Sequence, residues 1–198
     1  MSDPIKIHSA LAEAMSARSY NTMTPVQEAV LDIEQPDADL LVSAQTGSGK
    51  TLAFGLSIAT TLLQEDTEFS RPKLPVALII APTRELALQV RKELEWVYAR
   101  TKAQFASCVG GMDPRAERRT LESGAHIVVG TPGRLRDHIE RGALRLSDIK
   151  AVVLDEADEM LDMGFREDLT FILEKSPVSR RTLLFSATVP KQIAKMAR

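Results

Sequence analysis

Short apolar runs alternate along the chain with longer stretches in which apolar residues return every three or four positions. The runs are Asp39–Ser43, Val76–Ala81, Phe105–Val109, His126–Gly130, Ala151–Asp155 and Thr182–Ser186. Each is five or six residues of nearly continuous apolar character, the pattern of a strand covered on both faces. The longer stretches predict helices. Thr51–Leu63 follows the first run and Arg84–Tyr98 the second, where Leu86, Val90, Leu94 and Val97 share one face. Asp113–Leu121 and Gly133–Arg141 fill the next two gaps, and Ala157–Leu161 reads as a short helix. Two amphipathic segments, about Ile7–Ala17 and Pro25–Ile33, precede the first strand. Strands alternating with helices predict an α/β fold, a mainly parallel β-sheet flanked by helices on both faces.

In such sheets ligands gather beyond the carboxyl ends of the strands. Polar, glycine-rich and charged residues collect at those places here. Gln45–Thr51 follows the first strand, Pro82–Glu85 the second and Gly110–Gly111 the third. Thr131–Arg134, Asp155–Asp158 and Ser186–Thr188 follow the remaining three.

Composition narrows the classes. A chain of 198 residues, 44% hydrophobic and 26% charged, suits one compact globular domain and not a disordered segment. Its net charge of −2 argues against a tail-driven nucleic-acid binder, while local phosphate contacts stay open. No apolar stretch approaches the roughly 18–20 residues of a membrane span, and no membrane partner is expected. The N-terminus has no apolar core of a secretion signal, and the single Cys108 cannot form an internal disulfide, so a cytoplasmic protein is expected. Cys108 reads as a small core residue. His8, His126 and His138 are scattered with no second ligand beside them, so no metal site is expected at any of them. Arg115, Arg118 and Arg119 read as exposed helix charge, and Trp96 and Tyr98 as packing aromatics.

The strongest local signal is Ala44-Gln45-Thr46-Gly47-Ser48-Gly49-Lys50-Thr51. A polyphosphate needs several backbone N–H groups converging on it, glycines that permit that approach, and a helix N-terminus behind them. Lys50 would reach the β- and γ-phosphates, and the Thr51 hydroxyl would ligate Mg²⁺. Ala44 stands where the strict pattern has glycine. The bland alternative is a glycine-rich turn between strand and helix. Val152-Val153-Leu154-Asp155-Glu156-Ala157-Asp158 is an apolar strand ending in acids. Asp155 could hold Mg²⁺ opposite Thr51, and Glu156 could deprotonate the attacking water. An acid-rich first helical turn would have the same letters. A calcium loop would not, because the turn glycine and alternate spacing are missing.

Seven stretches in order, from about residue 20 to residue 188, resemble the DEAD-box ATP-dependent RNA helicases. Ala44–Thr51, Asp155-Glu156-Ala157-Asp158 and Ser186-Ala187-Thr188 look like motifs I, II and III. Pro82-Thr83-Arg84-Glu85-Leu86, Gly110-Gly111 and Thr131-Pro132-Gly133-Arg134 look like motifs Ia, GG and Ib. Thr24-Pro25-Val26-Gln27 is similar to the Q motif. The resemblance implies a RecA-like P-loop NTPase domain over residues 36–198, preceded by N-terminal helices with the Q motif over residues 1–35. It implies that Gln27 reads adenine, and that Ala44, Thr46, Gly47, Ser48, Gly49, Lys50 and Thr51 hold ATP. Thr51 and Asp155 would hold Mg²⁺, through water at Asp155, and Lys50, Asp155 and Glu156 would form the catalytic set with Glu156 as base. Ser186 and Thr188 would hydrogen-bond to Asp158 and couple nucleotide to RNA. Pro82, Thr83, Arg84, Gly110, Gly111, Thr131, Pro132, Gly133 and Arg134 would line a track for the RNA backbone.

The chain departs from the family in places. The aromatic that stacks adenine upstream of the Q motif has no counterpart among Ser2, Ile5 and Ile7, and Ser19 stands where a glycine is common. The family's second RecA-like domain, with its arginine finger, follows motif III. The implied function is therefore the N-terminal ATP-binding core of an RNA helicase, coupling ATP hydrolysis to local duplex unwinding. By itself it is expected to bind nucleotide and be nearly inactive. A nucleotide-responsive protein-binding module and a DNA-directed motor are the alternatives.

Overall fold

The computed structural model describes residues 7–188. Ser2 and Ile5 lie outside the described residues. The chain runs α1 (Ser9–Ala17), α2 (Pro25–Leu31), β1 (Leu40–Ser43), α3 (Lys50–Leu63), β2 (Ala77–Ile80), α4 (Arg84–Val97) and β3 (Phe105–Cys108). It continues through α5 (Pro114–Ser123), β4 (Ile127–Gly130), α6 (Pro132–Glu140), β5 (Ala151–Leu154), α7 (Ala157–Asp162), α8 (Arg166–Lys175) and β6 (Arg181–Ser186). One helix, α8, is not among those the sequence pattern predicted. Its buried residues are Leu169, Ile172 and Leu173, with half-buried Phe171 packed on the same core, a short signal after the acids that precede it.

The six strands form one parallel sheet in the order β1-β6-β5-β2-β4-β3. Alternate side chains of each central strand feed two cores. Ile79, Val129, Val153 and Phe185 pack with Phe54, Ile58, Leu94 and Tyr98 of the α3–α4 layer. Leu78, Ile80, Val128, Val152 and Leu184 pack with Leu135, Met160, Leu169 and Ile172 on the other face. β2, β4, β5 and β6 are buried along their whole length, as continuous apolar runs require. The two edge strands correct the expectation of cover on both faces. β1 leaves Leu41 and Ser43 exposed, and β3 alternates between buried and half-buried positions. Among the described residues, no helix is long and apolar enough to cross a membrane.

Strand order sorts the loops. All strands point the same way, so every loop that follows a strand lies along one edge of the sheet. The loops after β1, β6 and β5 are neighbours there, and so are those after β2, β4 and β3. Phosphate-loop, motif III and motif II residues thus share one half of the edge, while motif Ia, Ib and GG residues share the other.

Candidate active site

The loop after β1 turns twice through left-handed glycines, Gly47 at φ +83° and Gly49 at φ +82°, before Lys50 opens α3. A Cβ on Gly47 would meet nothing within 4 Å, so this side of the loop faces open space. Ala44 is buried, its N–H donating to the Ser186 carbonyl of β6 at 3.0 Å. Lys50 is 5% exposed and reaches across the loop. Its Nζ lies 3.0 Å from Asp155 Oδ1 and 2.9 Å from Glu156 Oε1. Thr46 also donates to Glu156 Oε1, at 3.1 Å. Burial alone would lower the Lys50 pKa, but Asp155 and Glu156 together hold it above its ordinary value.

Asp155 is fully buried at the end of β5. Lys50 Nζ is close to it but off the hydrogen-bonding direction, so neither carboxylate oxygen has an aligned donor among the described residues. Burial, only partly offset by Lys50, pushes its pKa up to about 6. Two orphaned carboxylate oxygens, together with the Thr51 hydroxyl in the first turn of α3, are the hard oxygen donors that Mg²⁺ prefers. The residues present therefore fit that ion. Glu156 follows in a left-handed conformation, φ +53°, between β5 and α7. This turn, which costs a non-glycine residue on the order of 1 kcal/mol, aims its carboxylate back at Lys50 and Thr46. Burial would raise its pKa, but hydrogen bonds with Glu159, Lys50 and Thr46 hold it below the ordinary carboxylate range. Glu159 is raised in return.

Asp158, in the first turn of α7, accepts from the Thr188 N–H and hydroxyl, both at 2.9 Å. Its own N–H donates to Ser186 Oγ at 3.3 Å. The acid loop, the phosphate loop and the end of β6 thus form one hydrogen-bonded corner.

Gln27 sits beside that corner, fully buried at the start of α2. Its Nε2 donates to the Gly49 carbonyl at 3.0 Å and to the Tyr20 hydroxyl at 3.1 Å. Its Oε1 accepts from the Thr24 N–H at 3.0 Å, closing a capping box, and lies 3.2 Å from the Tyr20 hydroxyl. The amide is saturated by protein, so pairing with adenine requires it to exchange one of these partners. Tyr20 was not singled out in the sequence; it is held by Trp96, whose ring centre is 6.4 Å away and which Arg18 covers at 4.6 Å. Ser19 has φ +56°, which explains why a glycine is common there. Ile7 packs on the core.

On the other half of the edge, Pro82 and Pro132 are buried, while Arg84, Gly110, Gly111 and Gly133 are exposed. The Thr83 hydroxyl caps α4 by accepting from the Leu86 N–H at 3.2 Å. Thr131, in the matching position before α6, makes no such bond. The Arg84 guanidinium packs on Gly111, where an added Cβ would stand 3.0 Å from Nη1. Arg134 lies partly inward. Its Nη1 donates to the Met112 carbonyl at 3.1 Å and to Glu117 Oε2 at 2.8 Å.

The structure corrects the expectation that His138 has no second ligand nearby. Ligand atoms of Cys108, Glu117 and His138, all buried, lie within 4.8 Å of one another. They form a hydrogen-bonded ion-pair cluster, not a metal cage. His138 Nε2 is 2.7 Å from Glu117 Oε2, closer than two ligands of one tetrahedral ion stand, and Arg134 occupies the same oxygen. Burial and the Glu117 charge raise the Cys108 pKa, which keeps the thiol protonated. Arg118 pairs with Glu122 on the exposed face of α5.

Comparisons with known proteins point to one family. A family model described as DEAD/DEAH box helicase matches residues 24–196. The chain is 43% identical over 185 residues to the DEAD-box ATP-dependent RNA helicase CshA of Geobacillus kaustophilus, covering 93% of this chain and 38% of that protein. It is 47% identical over 187 residues to the Streptococcus pneumoniae protein of the same name, covering 94% and 34%. It thus spans little more than a third of the length of these relatives. A crystal structure of a DEAD box protein from the hyperthermophile Methanococcus jannaschii superposes with a TM-score of 0.86 at 35% identity, over 97% of this chain and 51% of that one. A model match over nearly the whole chain, on the fold and loop order described above, makes this chain a member of the DEAD/DEAH box helicase family.

Proposed function

We propose that the chain is the ATP-binding core of an RNA helicase, in which ATP binding and hydrolysis are coupled to RNA binding and local strand separation. The observation that carries this reading is the convergence of Lys50, Asp155 and Glu156 beside the glycine-rich loop after β1. Without nucleotide, Lys50 is held by the two acids. On binding, its charge passes to the β- and γ-phosphates, and Glu156 is left facing the position of the attacking water. Asp155 and Thr51 would hold Mg²⁺, which neutralises phosphate charge during transfer. Gln27 would turn its amide from Tyr20 to the adenine edge.

RNA would lie along the second half of the edge. Exposed Arg84, the unbonded Thr131 hydroxyl and the N–H groups that open α6 offer phosphate contacts without a basic patch. Residues 1–35 would serve as the adenine-side cap of a domain spanning 36–198. A second RecA-like domain of the same protein would supply the arginine finger, worth on the order of 10³–10⁵ in rate. The reading places the protein in the cytoplasm, where the buried, unpaired Cys108 needs no disulfide partner.

The test is nucleotide binding and steady-state phosphate release by this chain, with and without RNA. The chain should bind ATP with Mg²⁺, hydrolyse it slowly and show no RNA stimulation. Adding the second domain, in cis or in trans, should restore stimulated turnover, and Glu156→Gln should abolish it. No binding of adenine nucleotide overturns the reading. RNA-stimulated turnover by this chain alone overturns the need for a second domain.

A further inference from the structure

α5 is an unusual helix. Half of its sequence, Pro114–Ser123, is charged, and the only side chain it buries is a carboxylate, Glu117, 7% exposed. A helix normally docks by an apolar stripe. This one docks through an acid, with half-buried Leu121 beside it.

The partners of that acid are specific. Glu117 Oε1 accepts from the Val109 N–H at 2.8 Å, at the root of the Gly110-Gly111 loop. Its Oε2 accepts from Arg134 Nη1 at 2.8 Å and from His138 Nε2 at 2.7 Å, on the first and second turns of α6. The same Arg134 nitrogen holds the Met112 carbonyl, and Gly111 lies against the Arg84 guanidinium. The loops after β3 and β4 are thereby fixed to one another around a single carboxylate, with Arg84 of the β2 loop lying beside them. Burial alone would raise the Glu117 pKa, but the bonds from His138, Val109 and Arg134 outweigh it and keep the carboxylate ionised. A buried ion pair is a poor device for stability, because desolvation offsets most of its attraction. Its value lies in fixing one arrangement.

We propose that Glu117 is a positioning residue for RNA. It touches no phosphate itself, and it holds the Gly110-Gly111 loop and Arg134 in the geometry that receives the backbone. This rests on the RNA-binding reading above. Arg134 acts in two directions, with Nη1 turned inward as a strut and its other N–H groups left without a protein partner among the described residues.

The experiment is fluorescence anisotropy of a labelled oligouridylate with this chain, at several salt concentrations and with saturating nucleotide. Simple electrostatics predicts that Glu117→Gln, which removes a negative charge near a polyanion, tightens binding. Positioning predicts the reverse sign, an affinity about tenfold weaker with the salt slope unchanged. Arg84→Ala, which loses a phosphate contact, should lower the slope by about one. Glu117→Asp keeps the charge but cannot span all three partners; it should weaken RNA in the same way and serves if the Gln variant does not fold. Nucleotide affinity, read in parallel, should stay at the parent value in both. Equal or tighter RNA binding by Glu117→Gln or Glu117→Asp, with the parent binding RNA, overturns the proposal. A parent chain that binds no RNA even at low salt overturns the RNA-binding reading itself.

Discussion

Gly47 and Gly49 share a backbone conformation but not an environment, and that difference can be measured. Replacing either by alanine puts a Cβ on left-handed backbone, at a cost of about 1–2 kcal/mol. For Gly47, φ +83°, that is the whole penalty in the nucleotide-free protein, because the new Cβ meets nothing within 4 Å. For Gly49, φ +82°, the Cβ would stand 2.6 Å from Gln27 Nε2 and 3.1 Å from Thr24 Cγ2 and Oγ1. The Gln27 amide must therefore move, yet it is buried and all its hydrogen-bonding positions are filled. Displacing it leaves a buried polar group short of a partner, worth about 1–3 kcal/mol more. Gly49→Ala should thus lose about 2–5 kcal/mol of unfolding free energy, and Gly47→Ala about 1–2 kcal/mol. Urea unfolding followed by fluorescence of Trp96, the one tryptophan, reads both from the corner where Tyr20 holds Gln27. In a Gln27→Ala background the excess at Gly49 should shrink, since the clash has lost its partner. Equal losses for the two variants, or an excess that survives Gln27→Ala, would refute the argument that Gln27 is locked to the phosphate loop.

Three other outcomes are expected. Lys50→Ala should abolish ATP binding in titration calorimetry, since no other cation pairs with Asp155 and Glu156 among the described residues; equal affinity for parent and variant sinks the phosphate-loop assignment. Asp155→Asn should retain part of the ATP binding and lose its dependence on Mg²⁺, read as affinity with and without the ion. Glu117, held below the ordinary carboxylate range, adds stability above that range that is lost as pH falls through its folded value. Glu117→Gln should therefore be less stable than the parent at neutral pH, with the gap closing below about pH 4 in urea melts; a gap that stays constant removes the ion-pair account.

The central strands were legible because each is sealed by a helix layer on both faces, which leaves no position for polar alternation. β1 and β3 were over-read for the same reason: at an edge one face meets solvent, and the run of letters alone does not show which strands are outermost. Strand order was not legible at all, since crossovers carry β2 past β5 and β6 before those strands exist in the sequence. The glycine-rich and acidic loops stood out because polyphosphate and metal demand particular residues at fixed spacing, and the structure brings Lys50, Asp155 and Glu156 of those loops together. Glu117 was not. Within Arg115–Glu122 it looks like one more solvated charge, and only the fold brings Val109, Arg134 and His138 to it. The occupied amide of Gln27 was hidden too, because its partners Tyr20 and Gly49 come from segments whose contact depends on how α2 lies against α3.

β6 is the last strand of the described chain but lies between β1 and β5, and this placement makes its end the joint of the corner. Ser186 touches both sides at once. Its carbonyl accepts from Ala44 at the root of the phosphate loop, and its hydroxyl accepts from the Asp158 N–H. Thr188 adds two bonds to the Asp158 carboxylate, which with Ser186 hold that acid below its ordinary pKa despite partial burial. A shift of the glycine-rich loop would therefore reach Asp158 and Thr188 through Ser186. Thr188→Val keeps the shape and the backbone bond but removes the hydroxyl, at a cost of about 1 kcal/mol in stability. If this joint carries the coupling, nucleotide affinity should stay near the parent value while the dependence of RNA affinity on nucleotide falls. Coupling of this kind is typically about 5–150-fold and reciprocal, so it can be read from either ligand. The measurement is RNA affinity with and without saturating ATP, and nucleotide affinity with and without RNA. A Thr188→Val protein that is less stable but keeps the parent ratio in both directions would show that Thr188 only braces α7, and the route between the two halves of the edge would have to run through the loops after β5 and β2 instead.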